Sequence, residues 1–512
     1  MNIQFLGHAG LGVGTREGTV LFDPWFGGAF QAAWWPYPSN QLLLPSLGEA
    51  GVRAIVLSHA HDDHANVESL KMVPGVPVVI PTYPSSRLRE KVMGAGSRKV
   101  VELRPWKEYT IDGMTVFFVP ESSAAHDSAI VVRLGSCVLL NMNDARLSMR
   151  QLQSIKARVG EIDVLALQIS GASWHPMCYP QYSAEEAEAI SLRKRATKFG
   201  FVADAIKVVS AKTVIPFAGP PCFLDPDLFD FNWDKMFPTQ EEAAVWLGKQ
   251  GASGVEVMLP GDKWDVLSRT KQAHPFWGDF SLSGDRRWYL EEYARDCQTR
   301  MKEVLGRYPR PNQNVRDSFQ KYLEKLSGMS PYFSGKIGMR VGFELEDTGE
   351  AWAVDFCAGG ISKALKDCGY WLRFDSKWLG AILTERIGWD DLLLSLRIQL
   401  GRDPDAYNEH LIHLLMCAGD RASLQAIESL EKKLASSARE TMCVQTNGVW
   451  YRVPAQCPHR GHALGPHMVE GGMLTCPGHG YRFDLKRDGR CVNTPSCAAL
   501  QVAEVQEAGE EI

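Results

Sequence analysis

No stretch of this 512-residue chain reaches the roughly 18 consecutive apolar residues that a membrane-spanning helix requires. Its first residues, MNIQFLGHAGLGVG, lack the basic segment and unbroken apolar run of a secretory signal. A basic surplus is missing as well: the formal net charge is −5, whereas a general nucleic-acid binder normally presents a basic face. There is no internal repeat, no low-complexity tract, and no G-x-G-x-x-G in a strand–turn–helix setting that would signal a bound nicotinamide or flavin. Cysteine is thin, with twelve residues scattered along the chain. Two of them sit in a ligand pattern; in a protein this long without a signal segment the other ten read as reduced thiols rather than a disulfide framework. The expected setting is cytoplasmic, with neither membrane nor nucleic acid among the partners.

What is present is chain enough for about two to four domains. From residue 2 to about 145, short apolar strand patterns alternate with Gly- and Pro-bearing turns. Helical patterns then alternate with apolar strands, which predicts a layered α/β sandwich over residues 1–270. Residues 271–335 read as a helical linker broken at Pro309-Arg310-Pro311. An α+β middle module is predicted over 336–438. It carries helical patterns at 378–384 and 389–400, then a connecting helix striped by Leu424, Ile427, Leu430 and Leu434. From residue 439 the chain turns rich in Gly, Pro, His and Cys, and a last, all-β domain is predicted for 439–512.

That last segment holds Cys457-Pro-His459-Arg-Gly461 and Cys476-Pro-Gly-His479-Gly480. Two thiols and two imidazoles in this order fit either a tetrahedral zinc or a [2Fe-2S] cluster with thiolates on one iron and imidazoles on the other. The context favours the cluster. Each ligand pair is followed by glycine, which suits two tight loops. Tyr481-Arg-Phe483-Asp484 then continues as a strand, and Asn493-Thr494-Pro495 can supply a covering loop. The pattern CPHRG…CPGHGYRFD resembles the Rieske domains of ring-hydroxylating and related oxygenases, which implies Cys457, His459, Cys476 and His479 as cluster ligands. His462 and His467 fall outside that spacing. Such a cluster passes single electrons and makes no bonds itself, so an acceptor site or docking face must lie elsewhere.

Upstream, an apolar strand pattern runs into Ser58-His59-Ala-His61-Asp62-Asp63-His64. Three imidazoles and two carboxylates on one strand-to-helix loop are too polar for an unpaired core; the plain alternative is a solvated, His-rich loop. The H-x-H-x-D-H pattern, preceded by Phe5-Leu-Gly7-His8-Ala9 and Leu21-Phe22-Asp23-Pro24-Trp25, resembles the metallo-β-lactamase fold in its ascorbate-6-phosphate lactonase branch. The resemblance implies one metal held by His59, His61, His126 and Asp144, with Asp144 able to bridge to a second metal at Asp63 and His64. It also breaks down at one point. Where a last histidine is expected after a late strand, this chain has Pro216-Phe217-Ala218-Gly219-Pro220-Pro221, and His175 is the candidate substitute. Asp63, His64 and His175 are thus the candidate catalytic residues. Imidazole and carboxylate accept zinc or iron alike. Zinc has no redox chemistry, so the Rieske centre tips the choice toward non-haem iron, mono- or dinuclear.

Further segments, Ile169-Ser-Gly171-Ala172-Ser173, Pro176-Met-Cys178-Tyr179 and Trp389-Asp-Asp391 through Asn408-Glu409-His410, complete a resemblance to the CMP-N-acetylneuraminate (CMP-sialic acid) hydroxylase family. In that family the Rieske segment comes first, whereas here it comes last. The resemblance implies an α+β multidomain protein: a metallo-β-lactamase αββα sandwich, a middle module with a sterol-carrier-like pattern, and a C-terminal all-β Rieske domain. It further implies a monooxygenase that hydroxylates a small-molecule substrate at an N-acyl group, using O2 and electrons from a ferredoxin, reductase or cytochrome b5-like donor. Homo-oligomers occur among Rieske oxygenases. Three alternatives stay open: an amine N-oxygenase of specialised metabolism, a zinc hydrolase carrying the Rieske domain as a redox sensor, and a pure electron-transfer protein with a degenerate metal loop. Trp34-Trp35-Pro36-Tyr37 is expected either to wall the substrate pocket or simply to pack.

Overall fold

The structure, a computed structural model, describes residues 1–47, 51–121, 127–171, 173–311, 315–363, 365–436, 441–459, 464–476, 480–494 and 497–505. The chain forms two compact units. The first comprises residues 1–121, 125–173 and 186–307, and the second comprises 122–124, 174–185 and 308–512. Among the described residues no helix is long and apolar enough to cross a membrane.

The first unit is built on two sheets. The larger has eight strands, and its consecutive strands Thr19–Phe22, Val52–Val56, Val78–Pro81 and Val100–Leu103 run parallel. The smaller has six, with Cys137–Asn141, Val164–Gln168 and Thr213–Phe217 parallel to one another. Strand side chains alternate between faces, and Met114–Pro120 shows the consequence. Val116 and Phe118 enter the layer between the sheets, where they join Phe5, Val20, Phe22, Val56, Ile130 and Leu139. Phe117 and Val119 point the other way, to Leu152 and Ile155 of helix Met149–Val159 and Val202 and Ala205 of helix Ala184–Val209. On the outer face of the larger sheet, Leu21, Ile55, Val78 and Ile80 meet Leu70, Leu88 and Val92 of two short helices. The result is an αββα sandwich with three apolar layers. Each fully buried Val, Leu or Phe contributes about 1.5–3 kcal/mol. Helix Arg286–Gly306 also packs here, setting Leu290, Tyr293 and Met301 against Trp35 and Tyr37.

This topology positions the site. In open parallel sheets the loops leaving the C-terminal strand ends share one rim. Asp23 follows Thr19–Phe22, the histidine-rich loop follows Val52–Val56, Asp144 follows Cys137–Asn141, and Ala218 follows Thr213–Phe217.

The second unit opens with a five-stranded mixed sheet in the order Ile361–Ser362, Ala351–Asp355, Arg340–Leu345, Tyr370–Phe374, Gln399–Arg402. The helical pattern over 389–400 is only half realised. Helix Trp389–Leu394 stops, Leu396 takes a left-handed φ of 59°, and Gln399–Arg402 pairs with Tyr370–Phe374. The local apolar period is overridden because sheet pairing, Leu400 opposite Leu372, buries the same side chains. Helices Glu409–Met416 and Arg421–Ser436 follow. The chain ends in two small sheets, of three and four strands, around Val444, Val453, Leu474, Phe483 and Leu500.

Candidate metal centre and cluster site

At the rim of the first unit the histidine-rich loop is held from below by Asp23. This buried carboxylate accepts from the Ser58 amide at 2.8 Å and the Ser58 hydroxyl at 2.6 Å, and lies 3.1 Å from His64 Nδ1. With Nδ1 engaged, His64 presents Nε2 as its ligand atom, the usual arrangement of a metal-ligating imidazole. Ser58 also lies within 2.9 Å of His59 Nδ1, which turns His59 Nε2 outward toward His61 Nδ1, 2.9 Å away. Tyr83 locks the loop backbone by donating to the Ser58 carbonyl at 2.6 Å.

Two groups of ligand atoms result, each with members within 4.8 Å of one another: His59, His61 and Asp127, and His8, His64 and Asp144. Asp63 adjoins the second group, with Oδ2 3.0 Å from His8 Nε2 and 3.7 Å from His64 Nε2. His64 Nε2 is 3.5 Å from Asp144 Oδ1. The expected ligands His59, His61, Asp63, His64 and Asp144 are therefore neighbours. His126 lies outside the described residues. His175 belongs to the second unit, where its Nε2 faces Tyr182 Oη at 3.1 Å and the Arg402 guanidinium at 3.0 Å.

The electrostatics suit a cation. Burial, then the neighbouring His64 and His61, hold His59 well below its ordinary value, so it stays the neutral imidazole that metals bind. Burial opposes ionisation of Asp63 and Asp144 most strongly, yet His64 and His8, joined at Asp144 by His59, together outweigh it and both carboxyls are shifted down. Burial likewise disfavours a charged His64, but Asp144 and Asp63 push it up. Asp63 Oδ1, Asp144 Oδ1, Asp127 Oδ1 and His64 Nε2 are all buried and make no hydrogen bond. So many desolvated donor atoms in one place are costly without a counterion. The residues fit a bound metal.

A small cavity of about 10 Å³, room for about one water, adjoins the second group, lined by Trp34, Gln168 and Ser170 together with His8, Asp63 and Asp144. Of the aromatic run, Trp34 therefore walls the pocket while Trp35 and Tyr37 pack. Lys198, half-buried on helix Ala184–Val209, donates to the Gln168 side-chain carbonyl. Burial, with Arg146 adding to it, pushes the Lys198 ammonium down to about 7.

In the second unit Cys457 and Cys476 are fully buried and His459 nearly so. The Cys476 loop is tight: its amide donates to the Tyr481 carbonyl at 2.7 Å, and the Gly480 amide returns to the Cys476 carbonyl at 2.8 Å, with Gly480 at φ 69°. Asn493 covers it, donating to the Gly480 carbonyl at 2.9 Å. His479 lies outside the described residues. His459 Nε2 is 2.6 Å from Glu409 Oε1, and Glu409 Oε2 accepts from the Tyr481 hydroxyl at 2.5 Å. Engagement of Nε2 directs Nδ1 to the ligand role.

Two families match this chain: the Rieske [2Fe-2S] domain over residues 417–504 and the Beta-lactamase superfamily domain over residues 2–195. The chain joins a lactamase-fold domain to a Rieske domain. A protein of Mycolicibacterium smegmatis bearing the name Rieske 2Fe-2S iron-sulfur protein is 29% identical over 521 residues, covering 96% of this chain and 98% of its own. The cytidine monophosphate-N-acetylneuraminic acid hydroxylase of Pongo pygmaeus is 24% identical over 238 residues, 43% of this chain and 38% of that protein. CmlA, a diiron beta-hydroxylase from Streptomyces venezuelae, aligns with 53% of this chain and 54% of its own at 14% identity and a TM-score of 0.36. The Rieske domain brings a [2Fe-2S] cluster, and its two buried thiols and bonded imidazole fit that group. A Rieske domain moves electrons, so the chain is an oxidoreductase.

Four residues near these sites carried no assigned role in the sequence: His8, Asp23, Asp127 and Glu409. For His8, Asp23 and Glu409 the only signal is a polar side chain set in an apolar run, as Glu409 is in EHLIHLLM; for Asp127 it is its place beside His126.

Proposed function

We propose that this protein is a Rieske-type non-haem iron monooxygenase that takes electrons from an outside donor and uses O2 to hydroxylate a small molecule. The N-acyl group of CMP-N-acetylneuraminate is the first substrate to test. The observation that carries the reading is the presence, in one chain, of an electron-carrying domain and a second, metal-ready cluster of buried imidazoles and carboxylates. Zinc in that cluster would leave the electrons without a use, whereas iron with open positions reacts with O2. The name of the distantly similar hydroxylase supports the same class of chemistry.

In this reading His59, His61, His126 and Asp144 would hold one metal, and Asp63 and His64 would belong to a second. Asp23 and Ser58 keep the imidazoles turned to their ligand atoms. Cys457, His459, Cys476 and His479 hold the electron carrier, and Glu409 fixes the tautomer of His459. Substrate enters beside Trp34. Because Lys198 occupies the Gln168 carbonyl, the Gln168 amide NH2 is the end that serves an acceptor such as an acyl oxygen. The test is direct: anaerobically reconstituted protein is given CMP-N-acetylneuraminate, a reducing system and isotopically labelled O2. Product heavier by one labelled oxygen atom is expected; no product with a fully loaded, reducible protein excludes this substrate, and zinc in the active head excludes the class.

A further inference from the structure

We infer that His8 is a ligand of the second metal and replaces the histidine missing from the late strand. The assignment rests on the reading of the first unit as a metal centre but not on the metal being iron. Three independent observations meet at this residue. First, His8 occupies the first position of the two-residue turn between strands Asn2–Gly7 and Gly10–Gly14, at φ 50°. That left-handed conformation is the natural place for glycine. A buried imidazole there is a strained choice that nothing in the turn itself requires, and such outliers cluster at functional sites.

Second, the side chain is buried, yet neither ring nitrogen makes a hydrogen bond. Its Nε2 lies 3.0 Å from Asp63 Oδ2 but off the line of a regular bond. Its ligand atom falls within 4.8 Å of those of His64 and Asp144. Trp25, edge-on with its ring centre 5.0 Å away, fixes the plane of the ring. Third, the backbone ties His8 to the segment where the histidine is missing: the Ala218 amide donates to the His8 carbonyl at 2.9 Å. An imidazole lost from one side of the rim is thus supplied from the turn against which that side is stitched. With Asp63, His64 and Asp144, His8 makes a donor set of two imidazoles and two carboxylates, complete for a divalent first-row metal.

The test counts metals in the full-length protein, by elemental analysis beside the electron paramagnetic signal of the reduced cluster. Wild type is expected to hold two equivalents in the head beyond the two irons of the cluster. His8→Ala should lose one of them, or bind it at least tenfold more weakly, with the cluster signal intact. His8→Asp, which keeps a donor atom, should retain it. Should His8→Ala fold poorly, anomalous diffraction from metal-loaded wild type decides. A second metal bonded to His8 supports the assignment; a second metal bound without His8, or only one metal in the head, overturns it. Zinc in place of iron would sink the oxygenase reading while leaving the role of His8 to be decided by the same count.

Discussion

The two sites of this chain gather their ligands in opposite ways. In the proposed assignment the Rieske domain takes all of its ligands from two short motifs, so the ligands are near neighbours in sequence. The candidate ligands of the lactamase-fold domain come from a hairpin turn, the loop after Val52–Val56, the start of Ser128–Leu134 and the end of Cys137–Asn141. Their supports are reversed as well. Asp23 and Ser58, which orient the head imidazoles, come from its own sheet, whereas Glu409, which orients His459, lies before the matched Rieske residues 417–504. A site written in one motif borrows its support from afar, and a site assembled by topology carries its support with it.

The contrast can be broken most severely at the thiolates. Cys457→Ser should abolish the cluster, seen as complete loss of its visible and paramagnetic spectra, while the head keeps its metal. Joint loss of both would show that the two sites do not load independently. Next in size, His61→Ala should eliminate turnover with the cluster spectrum unchanged; substantial residual turnover would argue for chemistry away from the head. Asp23→Asn removes only an orienting partner, and metal affinity in the head should fall by about 10–100-fold, as titration with iron(II) would measure. Glu409→Gln takes a negative charge from beside the cluster. The reduced state gains from that, so the midpoint potential should rise, with about 59 mV for each tenfold change; an unchanged potential would mean that the carboxylate is not felt by the cluster.

The smallest effect concerns pH. Lys198 in the folded chain is held near 7, against a usual value of 10.5. Between these values the unfolded chain binds more protons, so stability should rise with pH from about 7 to about 10, by at most about 1.4 kcal/mol per pH unit from this group. Lys198→Met should flatten that slope in denaturant titrations of the metal-free protein.

The same contrast explains what was legible. The αββα layering followed from alternating apolar strands, and the Rieske domain from CPHRG…CPGHGYRFD, because both are local patterns. The strand at Gln399–Arg402 was hidden because LLLSLRIQL keeps a helical apolar spacing until sheet pairing intervenes. His8 and Asp23 were hidden because each stands alone in its segment, Asp127 because its neighbour His126 fits the ligand position, and only the closing of parallel strands onto one rim brings them together. Glu409 was quoted in the sequence but had no visible task, since its partners His459 and Tyr481 lie 50 and 72 residues away.

That long reach has a practical corollary. Anyone excising the tail at its family boundary, residue 417, would isolate an electron carrier stripped of its carboxylate clamp. The excised piece would then report the voltage of a different device from the one that operates within the whole chain.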